Sequence, residues 1–271
     1  MVKAGEGAFA SAAERTQFAP LNTRRGQMNI GYLKVERRVG SRRASVLRKL
    51  GIANLVNTAM FDIEVAHEAL VRRQAVPERI YADGLVVDVP AGVYHPLPDS
   101  SSEFFIRNIK AMNPNLIAKT LEIGCGCGII SLYMAANWTS RTVATDISPI
   151  AVDATIENAK LNNLDLTAFQ SDLFEKIDEK DFDLIVFNTP LVDKNPENDI
   201  ERYSLCDPQG RITESYVRQA RRHVSKDGLI IFSICNNSAY EVMDAIDLNY
   251  EIVGFELAYS GFWRAIVGAR N

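Results

Sequence analysis

The part of this 271-residue chain best suited to chemistry is a glycine run preceded by an acid. Leu121-Glu122-Ile123-Gly124-Cys125-Gly126-Cys127-Gly128-Ile129-Ile130 reads as a buried strand, a tight turn and the start of a helix. Glycines let the backbone turn sharply and let a ligand approach closely. The helix start adds unpaired N–H groups. In an open parallel sheet this is where a nucleotide-like ligand sits, outside the strand ends. Three further polar residues end the next three predicted strands: Asp146, Asp172 and Asn188. A carboxylate at Asp146 can accept hydrogen bonds from both hydroxyls of a ribose. It could instead cap the following helix, a role equally open to Ser148. All four features would meet on one edge of the sheet.

The dinucleotide fingerprint G-x-G-x-x-G would need a glycine at position 129, which is Ile129. The run is G-x-G-x-G with Glu122 two positions upstream, and it resembles the first motif of class I S-adenosylmethionine-dependent methyltransferases. The resemblance covers about Glu103 to the C-terminus. It implies S-adenosyl-L-methionine as cofactor, cradled by Gly124, Cys125, Gly126 and Gly128. Glu122 would lie by the cationic amino-acid end, and Asp146 with Ile147 by the ribose. Asp172 with Leu173 would lie by the adenine, and Asn188 at the reacting end. A hydride-transferring NAD enzyme is the rival, with Ile129 and Asp172 against it.

Asn188-Thr189-Pro190-Leu191 keeps two positions of the N-P-P-Y motif of nitrogen methyltransferases. Val93-Tyr94-His95-Pro96-Leu97-Pro98-Asp99-Ser100 and Ser204-Leu205-Cys206-Asp207-Pro208-Gln209-Gly210-Arg211 are similar to stretches of the glutamine-amide methyltransferases of release factors, the PrmC/HemK-like family. This implies a catalytic turn of Asn188, Thr189 and Pro190. The asparagine oxygen and the next carbonyl would accept N–H bonds from the acceptor nitrogen and aim its lone pair at the methyl. Tyr94, His95 and Leu191 are the candidate substrate contacts, with His95 a candidate base. The motif's tyrosine is replaced by Leu191, which argues against a nucleobase acceptor unless Phe174, Tyr94 or Tyr203 supplies the ring. The expected acceptor is a nitrogen of a protein side chain or a small molecule. An O- or C-methyltransferase of a small natural product is the alternative, as is a noncatalytic RNA-associated protein that retains the fold.

The elements that must position these residues follow from the pattern. Strands are predicted at Thr120–Ile123, Thr142–Thr145, Leu166–Gln170, Leu184–Phe187 and Leu229–Ser233, with helices between. This alternation predicts a Rossmann-like α/β fold with a mostly parallel seven-stranded sheet. Tyr250–Leu257 and Phe262–Val267 read as a closing antiparallel hairpin. Residues 103–271 would form the methyltransferase domain. Residues 79–102 would form a β-hairpin and loop at its active site, with Asp83-Gly84 as the turn. Residues 1–78 would be a basic, mainly helical appendage. Helix is expected over Ser41–Gln74, interrupted at Gly51, with His67 facing outward and the first twenty residues loosely ordered.

Composition bounds the rest. The chain is 47% hydrophobic and 24% charged, with a net charge of −4, as ordinary globular domains are. No apolar run is long enough for a membrane span, and no secretory signal is visible, so a cytoplasmic protein is expected. Cys125 and Cys127 lack zinc spacing, and no metal is expected. Residues 1–50 hold eleven Lys or Arg and three Asp or Glu, a formal charge of +8 against −12 for the remainder. The cluster from Arg24 to Lys49 suits an acidic partner or a solvated helical face. The solvated face is the expectation, without a nucleic-acid partner. Sequence alone leaves the oligomeric state open.

Overall fold

The computed structural model describes residues 33–35, 41–56, 60–62, 64–96, 98–138 and 141–270. The first twenty residues and Arg24, Arg25, Arg37 and Arg38 lie outside the described residues.

In chain order the elements are β1 (Leu33–Val35), α1 (Ser41–Lys49), β2 (Met60–Asp62), α2 (Glu64–Gln74), β3 (Glu78–Ala82), β4 (Leu85–Val89) and α3 (Ser101–Ile109). Then come β5 (Lys119–Ile123), α4 (Ile129–Asn137), β6 (Arg141–Asp146), α5 (Pro149–Leu161), β7 (Thr167–Gln170) and β8 (Phe182–Phe187). The chain closes with α6 (Asp199–Ser204), α7 (Arg211–Ala220), β9 (Val224–Cys235), β10 (Asn249–Leu257) and β11 (Trp263–Arg270).

Seven strands form one sheet in the order β10-β11-β9-β8-β5-β6-β7. β7, β6, β5, β8 and β9 are parallel, and β11 runs antiparallel between β9 and β10. After β5 the chain lays strands down one side, then returns to build the other. The switch point therefore falls between β5 and β8, where such sheets bind ligands. Strand side chains alternate between two apolar layers. Leu121, Ile123, Ile185 and Phe187 pack with α1 and α7, through Val46, Leu47, Tyr216 and Val217. Leu184 and Val186 pack with α3, α4 and the β3–β4 hairpin, through Phe105, Ile130 and Val87.

The hairpin turns through Asp83 (φ 53°) and Gly84 (φ 80°), the paired left-handed positions that suit the strand twist. Two asparagines, Asn158 in α5 and Asn162 capping its end, bind it as a neighbouring strand would. Asn158 Oδ1 accepts from Asp88 N at 2.8 Å and its Nδ2 donates to Asp88 O at 2.8 Å. Asn162 does the same with Val86, at 2.9 and 2.7 Å. Asn158 Nδ2 also donates to Cys127 O at 2.9 Å, which joins the hairpin to the glycine loop.

The expected helix over residues 41–74 is two helices with a strand between them. α1 ends where Gly51 takes φ 72°. Gly51 N donates to Arg48 O and Ile52 N to Leu47 O, a C-terminal cap that only a left-handed residue permits. β2 then pairs antiparallel with β1 before α2 begins. Nor is α1 only a solvated basic face. Arg43 is buried and reaches across to the end of β9, donating to Asn236 O at 2.8 Å, to Ser238 O and to Glu241. Among the described residues no helix is long and apolar enough to cross a membrane.

Candidate active site

The three loop glycines have separate reasons to be glycine. All take positive φ: Gly124 66°, Gly126 57° and Gly128 84°. A Cβ on Gly124 would lie 2.6 Å from the Phe187 ring, and one on Gly128 would lie 2.9 Å from Thr155. A Cβ on Gly126 would meet nothing nearer than Val93 Cγ1 at 3.7 Å. Gly124 and Gly126 line a cavity of about 1150 Å³, whereas Gly128 is set back from it and packs α4 on α5.

Acids flank this loop. Glu122 is 1% exposed and accepts from the N–H and hydroxyl of Ser131, in the first turn of α4. Burial pushes its pKa up to about 8. Asp146 closes β6. Its Oδ2 accepts from Gly126 N at 2.9 Å and its Oδ1 from Ser148 N at 2.8 Å. Burial raises its pKa, against the pull of these N–H groups. Ile147, Asp172 and Leu173 continue the same cavity wall; Ile147 and Asp172 are exposed, and Leu173 takes φ 45°.

Across the switch point, Asn188 follows β8. Its Nδ2 donates to Ser101 Oγ at 3.0 Å and Ser102 Oγ at 3.2 Å, at the start of α3. Its Oδ1 accepts from Ser233 Oγ at 3.1 Å, near the end of β9. Thr189 is buried and its hydroxyl donates to Ser233 O at 2.6 Å. Pro190, Leu191, Tyr94, His95 and Tyr203 line the same cavity. Tyr94 Oη lies 3.2 Å from Ser101 Oγ.

A glycine cradle, two held acids and an oriented amide thus border one cavity. Residues 85–256 match the family model described as the methyltransferase small domain. The chain belongs to that family. It is similar to a candidate protein N5-glutamine methyltransferase of Methanocaldococcus jannaschii, 31% identical over 56% of this chain and 76% of that protein. It is also similar to the release factor glutamine methyltransferase of Aquifex aeolicus, 27% identical over 69% of this chain and 70% of the relative. Among solved structures, a ribosomal protein L11 methylase of Lactobacillus delbrueckii subsp. bulgaricus aligns with a TM-score of 0.52 at 22% identity, over 72% of this chain and 90% of that one. The protein is an S-adenosylmethionine-dependent methyltransferase with the expected Rossmann-like sheet.

Some expectations for this methyltransferase change with the structure. His95 reaches the cavity wall but is 1% exposed, with Nε2 3.1 Å from Val76 O and Nδ1 3.4 Å from Glu78 Oε2. Burial lowers its pKa, and its Nε2 is engaged with the carbonyl of Val76 in the connection from α2 to β3. Phe174 is no candidate to stack on an acceptor, because it is buried against Tyr216 and His223. His67 does not face outward; it is buried 2.9 Å from Glu201. Ser101, Ser102, Ser131 and Ser233 were not legible as site residues. Beside them Ser100 caps α3, its Oγ accepting from Glu103 N at 3.2 Å.

Proposed function

We propose that this methyltransferase modifies the side-chain amide nitrogen of a glutamine in a protein. The observation that carries the reading is the clamp on Asn188. Ser101 and Ser102 take its two N–H bonds, so its Oδ1 is fixed as the acceptor end. A carbonyl-type oxygen has two lone pairs, and Ser233 uses one. The second is suited to an N–H of an incoming amide. The main-chain carbonyl of Thr189 offers the next acceptor, as the family's turn does. The relatives named as glutamine methyltransferases support the same acceptor.

The residues present fit the cofactor. Gly126 leaves open space where a side chain would stand, and the carboxyl groups of Glu122 and Asp146 line the cavity where a cationic and a hydroxylated end would lie. S-adenosylmethionine, when bound, supplies a methyl group on a positively charged sulfur. In this reading Glu122, Gly124, Cys125 and Gly126 hold the amino-acid end. Asp146 and Ile147 hold the ribose, Asp172 and Leu173 the adenine. Gly128 supports the cradle from behind. Asn188, Thr189 and Pro190 orient the nitrogen, so positioning carries most of the rate. Tyr94, His95 and Leu191, with the hairpin loop of residues 79–102, border the acceptor. A cytoplasmic location belongs to the same proposal.

The test is transfer of isotopically labelled methyl from S-adenosylmethionine to a cell extract, followed by exhaustive enzymatic digestion of the labelled fraction, which leaves side-chain amides intact. The expected product is N5-methylglutamine in protein. Label confined to RNA, or to protein oxygen or carbon, would overturn the nitrogen-amide reading.

A further inference from the structure

A second cluster lies beside this cavity and takes no part in the chemistry above. His67 projects from α2, Glu201 from α6, and Cys206 follows α6 on the bridge to Val192. They are 6%, 4% and 1% exposed. One ligand atom from each lies within 4.8 Å of the other two. We propose that His67, Glu201 and Cys206 bind a divalent transition-metal ion of the zinc class, which clamps α2 to the α6 segment.

Three observations carry this. His67 Nε2 pairs with Glu201 Oε1 at 2.9 Å, while its Nδ1 is buried with no hydrogen-bond partner among the described residues. Buried polar atoms are rarely left so. The glutamate is also oriented from outside: its Oε2 accepts from Glu197 N at 2.8 Å and lies 3.9 Å from Lys194 Nζ. That leaves Oε1 turned to the histidine, as outer contacts orient a metal ligand. Finally, imidazole, carboxylate and thiolate are the zinc donor set. Bond lengths of about 2.0–2.3 Å put such atoms roughly 3–4 Å apart, a small adjustment from their present spacing.

Charge balances too. The ion's two positive charges meet one carboxylate and one thiolate. Binding releases the Cys206 proton to solvent, and a water completes four-coordination. The clamp would matter to the acceptor side of the cavity. Val192 N donates to Leu205 O at 3.0 Å and Asp207 N to Val192 O at 2.8 Å, so the α6 segment holds the chain just beyond Leu191. Ser204 Oγ donates to Gln74 Oε1 at 2.8 Å, a second tie between α6 and α2.

The experiment uses the full chain without a histidine tag, stripped by chelator and titrated with Co²⁺. One equivalent should bind with a thiolate-to-cobalt charge-transfer band, and Zn²⁺ should displace it. The band should vanish in Cys206→Ser, which leaves Cys125, Cys127 and Cys235 in place. His67→Gln should weaken binding by roughly tenfold or more. Zinc should raise the melting temperature of the wild type and not that of Cys206→Ser. Absence of a stoichiometric thiolate band in the folded wild type would overturn the site and leave a buried histidine–carboxylate pair. An unchanged band in Cys206→Ser would overturn it as well. Should Cys206→Ser fail to fold, the wild-type titration and His67→Gln decide. None of these readouts depends on the methyl acceptor.

Discussion

Asp146 Oδ2 accepts the backbone N–H of Gly126 at 2.9 Å, so the acid that ends β6 braces the loop that ends β5. The same carboxylate is the proposed ribose acceptor, and its removal takes away both interactions. Charge-assisted hydrogen bonds are worth roughly 1.5–3 kcal/mol. Asp146→Ala should therefore lower S-adenosylmethionine affinity about tenfold to more than a hundredfold by calorimetry. Asp146→Asn keeps one acceptor oxygen and should lose less. A 2′-deoxyribose analogue should add little further loss in Asp146→Ala. An equal added loss in variant and wild type would reduce Asp146 to a brace.

The glycine loop separates folding from binding. Gly124→Ala drives a Cβ to 2.6 Å from the Phe187 ring and should lower the melting temperature. Gly126→Val has room on the Val93 side, so the fold should persist despite its φ of 57°. The left-handed position costs a non-glycine residue roughly 1–3 kcal/mol. Its side chain enters the cavity, and most cofactor affinity should go. A folded Gly126→Val with wild-type affinity would show that the cavity wall is misassigned.

Glu122 gives a pH signature. Its pKa is pushed up to about 8 by burial, above the ordinary glutamate value near 4.3. Between these values the folded chain holds a proton that the unfolded chain has released. Its contribution to stability is then full below about pH 4 and declines as pH rises toward about 8. Glu122→Gln carries no such proton. The melting temperature of wild type relative to Glu122→Gln should fall from pH 5 to pH 8 and level off above. A difference independent of pH would mean that the folded protein holds Glu122 ionised throughout.

Arg43 ties the basic N-terminal part to the sheet. It donates to Asn236 O, Ser238 O and Glu241, and its guanidinium lies 4.6 Å from the centre of the Tyr240 ring. Arg43→Ala should cost on the order of 3 kcal/mol, since it leaves buried carbonyls unpaired. A melting shift on the order of 10 °C follows. Arg43→Lys should recover only part, because an ammonium cannot span three acceptors in a fork. No shift in Arg43→Ala would contradict the docking of α1.

The sheet and the residues at its edge were legible because strand and helix periods differ and the glycine run is local. The Ile129 position was enough to set aside the dinucleotide fingerprint. Pairings between distant residues were not legible. Ser233 meets Asn188 only because β9 lies beside β8, and Ser101 only because α3 packs across the strand ends. His67 and Glu201 are 134 positions apart in the chain, and nothing local to either signals burial. The break in the expected 41–74 helix was marked at Gly51, but β2 depends on a partner strand, β1, that periodicity does not reveal.

The central claim is that Asn188 orients a nitrogen acceptor and does not hold the cofactor. The direct measurement is turnover and S-adenosylmethionine affinity in Asn188→Ala and Asn188→Asp, compared with wild type. Asn188→Ala should lose turnover by roughly a hundredfold or more, as expected for losing positioning, with affinity within a few-fold of wild type. Asn188→Asp should be less damaging, because a carboxylate still accepts an N–H bond. Full turnover in Asn188→Ala would contradict the account. So would Asn188→Asp proving the more damaging, since that is the response of an acceptor that approaches as an oxygen anion.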